Sequence, residues 1–93
     1  MSANATRRAS IIGTGLIGGS VGLALRHLGW HVTGSDADPA SAQRALELGA
    51  IDAVGLDPLS ELSLVAAPVS AISTEVRRAL AHTAGVVTDV GSV

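Results

Sequence analysis

Three glycines near the N-terminus are spaced as in a loop that binds phosphate groups. Gly13, Gly15 and Gly18 form the pattern G-x-G-x-x-G between a β-branched apolar run and an apolar helical run. In that context the first glycine permits a tight turn, the second lets a pyrophosphate approach the backbone, and the third lets the helix pack on the strand. The N–H groups near Leu16 and Ile17 would then face the phosphates at the positive end of the helix. The alternative is a glycine-rich turn that binds nothing. We predict a dinucleotide-binding loop made of Gly13, Thr14, Gly15, Leu16, Ile17 and Gly18.

An aspartate follows this loop at the distance expected of a ribose ligand. Asp36 ends the next apolar stretch, 18 residues after Gly18. In dinucleotide-binding folds an acid about 20 residues beyond the glycines accepts hydrogen bonds from the adenosine ribose. The alternative is a turn or helix-capping aspartate, but Asp38 already fills the capping position before Pro39. Because a carboxylate repels a 2′-phosphate, and Ala37 rather than an arginine follows it, we predict NAD rather than NADP as the cofactor.

Short apolar runs alternate with helical patterns along the whole chain. Runs rich in β-branched residues predict five strands, at 9–13, 31–35, 51–54, 62–67 and 86–90. Helical spacing and capping residues predict helices at 16–28 and 39–48, and a third that ends before Gly85. This alternation implies a doubly wound, Rossmann-like α/β fold, because strands joined by helices pair in parallel. Right-handed crossovers then give the strand order 3-2-1-4-5.

The carboxyl ends of predicted strands four and five should meet the glycine loop at one edge of the sheet. Ala67 and Pro68 end strand four, and ligands in such folds bind at the switch point between strands one and four. We therefore predict that both contact the cofactor, although a proline that starts a helix explains them equally well. At the end of strand five, Asp89 is the one side chain at this edge that could act as a general base. We assign no catalytic residue and no metal ligand within the chain.

Composition narrows the classes of protein further. The 93 residues are 47% hydrophobic with a net charge of −2, which favours one small globular domain and argues against a basic nucleic-acid binder. The absence of lysine and cysteine excludes Schiff-base chemistry, disulfides and thiolate metal sites. Arg7 and Arg8 before an apolar run resemble a twin-arginine signal, but glycines interrupt the run and no cleavage site follows. We expect a cytoplasmic protein with no membrane segment.

Four segments together resemble the prephenate dehydrogenase family, which includes the arogenate dehydrogenases. They are the G-L-I-G-G-S form of the glycine loop, Gly34-Ser35-Asp36, Ala67-Pro68-Val69 and Thr88-Asp89-Val90-Gly91-Ser92-Val93. The resemblance extends over essentially the whole chain after residues 1–8, which we expect to form a flexible tail. It implies that residues 9–93 are the N-terminal nucleotide-binding domain of such an enzyme, in incomplete form.

The resemblance also implies a reaction and a substrate contact. Family members oxidise prephenate or arogenate with NAD or NADP and release carbon dioxide on the route to tyrosine, and prephenate gives 4-hydroxyphenylpyruvate. Ser92 matches a serine that lies near the nicotinamide and the substrate. The family continues with a lysine, a His-Pro segment that carries the catalytic histidine, and a helical domain that binds substrate and forms a homodimer. The resemblance therefore implies a chain truncated before the catalytic segment and the helical domain, able to bind NAD and inactive alone.

Two other kinds of protein fit the glycine loop. One is another Rossmann-type dehydrogenase or reductase, such as the 3-hydroxyisobutyrate or pyrroline-5-carboxylate reductase types, although these carry other residues around the third glycine. The other is a non-catalytic dinucleotide-sensing module of the kind that regulates potassium channels, which the fold alone does not exclude. A lysine and a His-Pro segment encoded after Val93 would favour the prephenate dehydrogenase interpretation.

Overall fold

A computed structural model describes residues 6–66 and, for its backbone, the strand at 86–89. The predicted third helix, before Gly85, lies outside these residues. No helix among the described residues is long and apolar enough to cross a membrane. The elements in chain order are β1 (Arg8–Ile12), α1 (Leu16–His27), β2 (His31–Ser35), α2 (Pro39–Glu47), β3 (Ala53–Val54), β4 (Leu62–Val65) and β5 (Val86–Asp89).

The strands form one parallel sheet in the order β3-β2-β1-β4-β5, which confirms the predicted topology. The central strand β1 pairs with β2 on one side and with β4 on the other. Its last residue, Ile12, is in register with Ser35 of β2 and Val65 of β4. The segments that follow β1, β2 and β4 therefore start from the same edge of the sheet, which is where ligands bind in doubly wound folds.

The third strand is shorter than predicted, with two residues instead of four. Asp52, placed in this strand by its sequence pattern, pairs with β2 through its side chain as well as its backbone. Its Oδ2 accepts a hydrogen bond of 2.8 Å from the Val32 N–H, and its own N–H donates to the Val32 oxygen at 2.7 Å. Regular ladder pairing therefore starts only at Ala53, which is in register with Thr33.

The hydrophobic core lies on the face of the sheet that α1 and α2 cover. It contains Ile11, Val32, Ala45, Ala50, Ile51 and Leu64, all buried. The chain moves from β1 to β2 and from β2 to β3 in the same direction across the sheet. Because crossovers between parallel strands are right-handed, the helices in these two connections lie on the same face. The helices are thereby held against the strands, and the start of α1 is fixed over the carboxyl end of β1.

The opposite face of the sheet carries buried hydroxyl groups beside the buried apolar side chains of Ile12 and Val65. The Ser10 hydroxyl lies 3.1 Å from that of Thr33 and 2.6 Å from that of Ser60. It also accepts a hydrogen bond of 3.2 Å from the N–H of Asp57. This network fixes the segment between β3 and β4 under β1, because each buried polar group in it has a partner.

The Asp57 carboxylate anchors the same segment and makes stability depend on pH. It is 6% exposed and forms an ion pair with Arg8 of β1. Burial alone would raise the pKa of Asp57, but the Arg8 side chain and the Leu59 N–H donate to the carboxylate and hold the pKa below its usual 3.8. A lowered pKa in the folded state stabilises the fold above the unfolded-state pKa, and this contribution is lost as the pH falls through the folded-state value.

We expect Asp57→Asn to lower the free energy of unfolding at pH 7 and to make it less sensitive to pH below about 4. Urea unfolding of the parent and the variant between pH 7 and pH 2.5 measures this, and the gap between them should shrink as the pH falls. Asp38→Asn is the matched control, because asparagine caps helices about as well as aspartate. A gap that stays constant with pH would contradict the assigned role of the Asp57 charge.

Candidate functional site

The loop between β1 and α1 has the backbone geometry that its glycines predict. Gly13 has a φ of 96°, in the left-handed region that favours glycine, and its N–H donates to the Ser35 oxygen at 2.8 Å. Gly18 lies so close to the end of β1 that a Cβ built on it would stand 1.9 Å from the Gly13 oxygen. These two glycines let α1 start directly above the sheet edge, as the spacing of the motif predicts.

The N-terminus of α1 is open toward solvent and carries no capping side chain. Gly15 is the N-cap residue, no side chain accepts a hydrogen bond there, and the first turn contains no acidic residue. A Cβ on Gly15 would meet nothing within 4 Å, and Leu16 is 88% exposed. The first N–H groups of a helix have no partner within the helix, and the helix dipole adds a partial positive charge. This terminus therefore fits an anionic group such as a pyrophosphate.

Asp36 lies beside the glycine loop and is hydrogen-bonded to it. Its Oδ2 accepts from the Thr14 N–H at 2.7 Å and from the Thr14 hydroxyl at 3.1 Å. Its Oδ1 accepts from the N–H of Asp38 at 2.9 Å. Asp36 as a residue is half-buried. The structure thus brings the predicted ribose ligand and the predicted phosphate loop together at one edge of the sheet.

Two features of this region were not anticipated from the sequence. The first is the contact of Thr14 with Asp36, which turns the Thr14 N–H toward a carboxylate of the protein. The second is Ser35, whose hydroxyl oxygen is buried and has no hydrogen-bond partner among the described residues. The alternation of β2 places Ser35 on a buried face, but its lack of a partner could not be read from the pattern. An orphaned hydroxyl next to Asp36 is a polar group that a ligand or water can satisfy.

Other predicted site residues lie outside the part of the chain that the structure describes. Ala67 and Pro68, predicted to contact the cofactor, and Ser92, implied as a substrate contact, are among them. The backbone of Asp89 is described as the end of β5, in register with Val65. Within residues 6–66 and 86–89 no group of three or more histidine, aspartate or glutamate side chains is arranged to hold a metal ion.

The parallel sheet order and the glycine loop at the start of α1 define a Rossmann-like domain of the kind found in dehydrogenases. The sequence model of one family, described as "Prephenate dehydrogenase, nucleotide-binding domain", matches residues 21–93. The chain belongs to this family. The matched range begins within α1, so the assignment rests on residues beyond the glycine loop.

Solved structures of dehydrogenases superimpose closely on the chain. An arogenate dehydrogenase from Synechocystis has a TM-score of 0.83 at 26% identity, over 92% of this chain and 33% of its own. A prephenate dehydrogenase from A. aeolicus, in complex with hydroxyphenyl propionate and NAD+, has a TM-score of 0.82 at 26% identity, over 98% of this chain and 35% of its own. A putative NADP oxidoreductase from Bacteroides fragilis, at 17% identity and a TM-score of 0.74, shares the fold.

The chain therefore spans about a third of the length of these solved structures. No curated protein matches it. The comparisons show that the chain has a Rossmann-like fold and is the nucleotide-binding domain of an oxidoreductase family.

Proposed function

We propose that this chain binds NAD as the cofactor-binding domain of a prephenate or arogenate dehydrogenase. The observation that carries the proposal is the position of the Asp36 carboxylate, hydrogen-bonded to the loop that precedes the uncapped start of α1. The backbone at Gly15, Leu16 and Ile17 would hold the pyrophosphate, and Asp36 would hold the adenosine ribose. The NAD+ in the A. aeolicus relative supports the same choice of cofactor.

For the whole protein we propose oxidative decarboxylation of prephenate, or of arogenate, in tyrosine biosynthesis. The bound NAD+ supplies a hydride acceptor, so prephenate would yield 4-hydroxyphenylpyruvate, carbon dioxide and NADH. The described residues of this chain bind and orient the cofactor, and we place the proton-transfer chemistry outside them. Ser92 as a substrate contact, a homodimer and a cytoplasmic location belong to the same proposal. Formation of NADH from prephenate by the purified 93-residue chain would contradict this division of roles.

The cofactor assignment predicts that the chain binds NAD more tightly than NADP. Asp36→Ala should narrow this preference by about 1–3 kcal/mol, because the variant loses a charged hydrogen-bond acceptor and the repulsion of a 2′-phosphate. Isothermal titration of both cofactors against the parent and the variant measures the change.

Asp38→Ala is the matched control for this titration. It removes one negative charge two residues from Asp36 and removes the side chain that caps α2. The backbone N–H of residue 38, which donates to Asp36, is unchanged. The variant should lower stability by about 1 kcal/mol and leave the cofactor preference unchanged. Equal affinity of the parent chain for NAD and NADP would overturn the role assigned to Asp36.

A further inference from the structure

The carboxylate of Asp36 is held by the protein before any ligand arrives. Three donors converge on it within 3.1 Å: the N–H and hydroxyl of Thr14, both on Oδ2, and the N–H of Asp38 on Oδ1. An ionised carboxylate offers about four acceptor positions. Three are in use, and the free one lies on Oδ1.

Thr14 is itself fixed by its surroundings. The residue is 7% exposed, and its methyl group lies 3.0 Å from the position where a Cβ on Gly34 of β2 would stand. The methyl thus packs over Gly34 while the hydroxyl reaches Asp36. The packing of the methyl group on Gly34 and the hydrogen bond of the hydroxyl to Asp36 fix one orientation of the Thr14 side chain. The hydroxyl is therefore a rigid donor.

From these contacts we infer that Thr14 is a positioning residue that strengthens the preference for NAD over NADP, because it supplies two of the three hydrogen bonds that hold the Asp36 carboxylate in place. This inference rests on the proposed function. A ribose hydroxyl is a donor and can use the free position on Oδ1. A 2′-phosphate brings only acceptor oxygens and negative charge at neutral pH, and it meets a carboxylate that cannot turn away. Without the Thr14 hydroxyl, only one backbone N–H holds each oxygen of the carboxylate. The carboxylate can then tilt away from the phosphate at lower cost, and the penalty on NADP falls.

The decisive variants separate the hydroxyl from the methyl of Thr14. Thr14→Val keeps the shape and the N–H but loses the hydroxyl, and we expect it to reduce the ratio of NADP to NAD dissociation constants roughly tenfold, the size of one hydrogen bond to a charged group. Thr14→Ser keeps the hydroxyl and should stay within roughly twofold of the parent ratio. Thr14→Ala is a second variant without the hydroxyl and should follow Thr14→Val.

A double-mutant cycle tests whether Thr14 acts through Asp36. In an Asp36→Ala background, Thr14→Val should leave the ratio of dissociation constants unchanged, because the group that it positions is absent. Titrating 2′,5′-ADP and 5′-ADP in the same series confines the comparison to the ribose end of the cofactor. In the cofactor-free chain, hydrogen exchange at the Thr14 amide should accelerate in Asp36→Ala, which reports the contact without any ligand.

The outcomes distinguish this inference from the proposed function. A parent chain that binds neither cofactor would overturn both. A parent that prefers NAD, combined with Thr14→Val and Thr14→Ala variants that keep the full preference, would overturn the role of Thr14 alone. So would a Thr14→Ser variant as impaired as Thr14→Val, or an equal effect of Thr14→Val in the Asp36→Ala background.

Discussion

Gly18→Ala should destabilise the domain by about 3 kcal/mol or more, a large share of the ~5–15 kcal/mol by which small domains are stable. The added Cβ would stand 1.9 Å from the Gly13 oxygen and 3.0 Å from the Ile11 side chain. The first of these neighbours is backbone in a tight turn and cannot move aside as a flexible side chain can. The helix α1 must therefore shift away from β1. Urea denaturation followed by circular dichroism measures the loss.

Gly19→Ala is the matched control on the same helix turn. A Cβ there would lie 3.6 Å from the Thr14 oxygen, an ordinary contact. Because alanine favours helix over glycine by about 1 kcal/mol, this variant should be as stable as the parent or slightly more stable. If Gly18→Ala and Gly19→Ala had the same free energy of unfolding, the explanation that α1 packs too closely on the end of β1 to admit a Cβ at position 18 would be wrong.

Gly15→Val should abolish most NAD binding while the domain stays folded. Gly15 has extended backbone angles that valine adopts, and its Cβ would point into open space. The same open space is where the phosphates must approach the first N–H groups of α1, and the isopropyl group fills it. We expect the affinity for NAD to fall by about a hundredfold, or about 2.8 kcal/mol, in isothermal titration.

Ala24→Val provides the control for added bulk on α1. Ala24 is exposed near the C-terminal end of the helix, far along it from Gly15. Its variant carries the same β-branched side chain at a helix-propensity cost of less than about 1 kcal/mol, and it should bind NAD as the parent does. If Gly15→Val bound NAD as tightly as the parent, the assignment of the glycine loop to the cofactor site would be wrong.

Much of the fold could be predicted because local patterns dominate it. The bounds of β2 agree with the prediction, since β-branched residues and flanking turns mark them clearly. Helix α2 begins at Pro39 behind the predicted cap, where the Asp38 carboxylate accepts from the Ala40 N–H. The short β3 was not predictable, because it depends on where the Asp52 side chain meets β2, a contact between distant segments.

The candidate site was predictable to the extent that it depends on backbone. Glycines at 13 and 18 are required by a turn and a close approach, and both requirements are visible in the structure. The hydrogen bonds from Thr14 to Asp36 depend on how far the loop folds back over β2, which residue spacing does not encode. The same holds for the orphaned Ser35 hydroxyl, because burial of a single atom follows from packing and not from pattern.

The bonds between Asp36 and Thr14 also bear on attempts to re-engineer cofactor choice. In a protein where the acidic residue stands free, a designer can exchange it for a small or basic residue without touching the phosphate loop. Here the carboxylate accepts the N–H of the loop residue Thr14, so removing it leaves that largely buried donor without its acceptor. A redesign for NADP must therefore change the loop and the acid as one unit, supplying a new acceptor for the Thr14 N–H together with any cation for the phosphate.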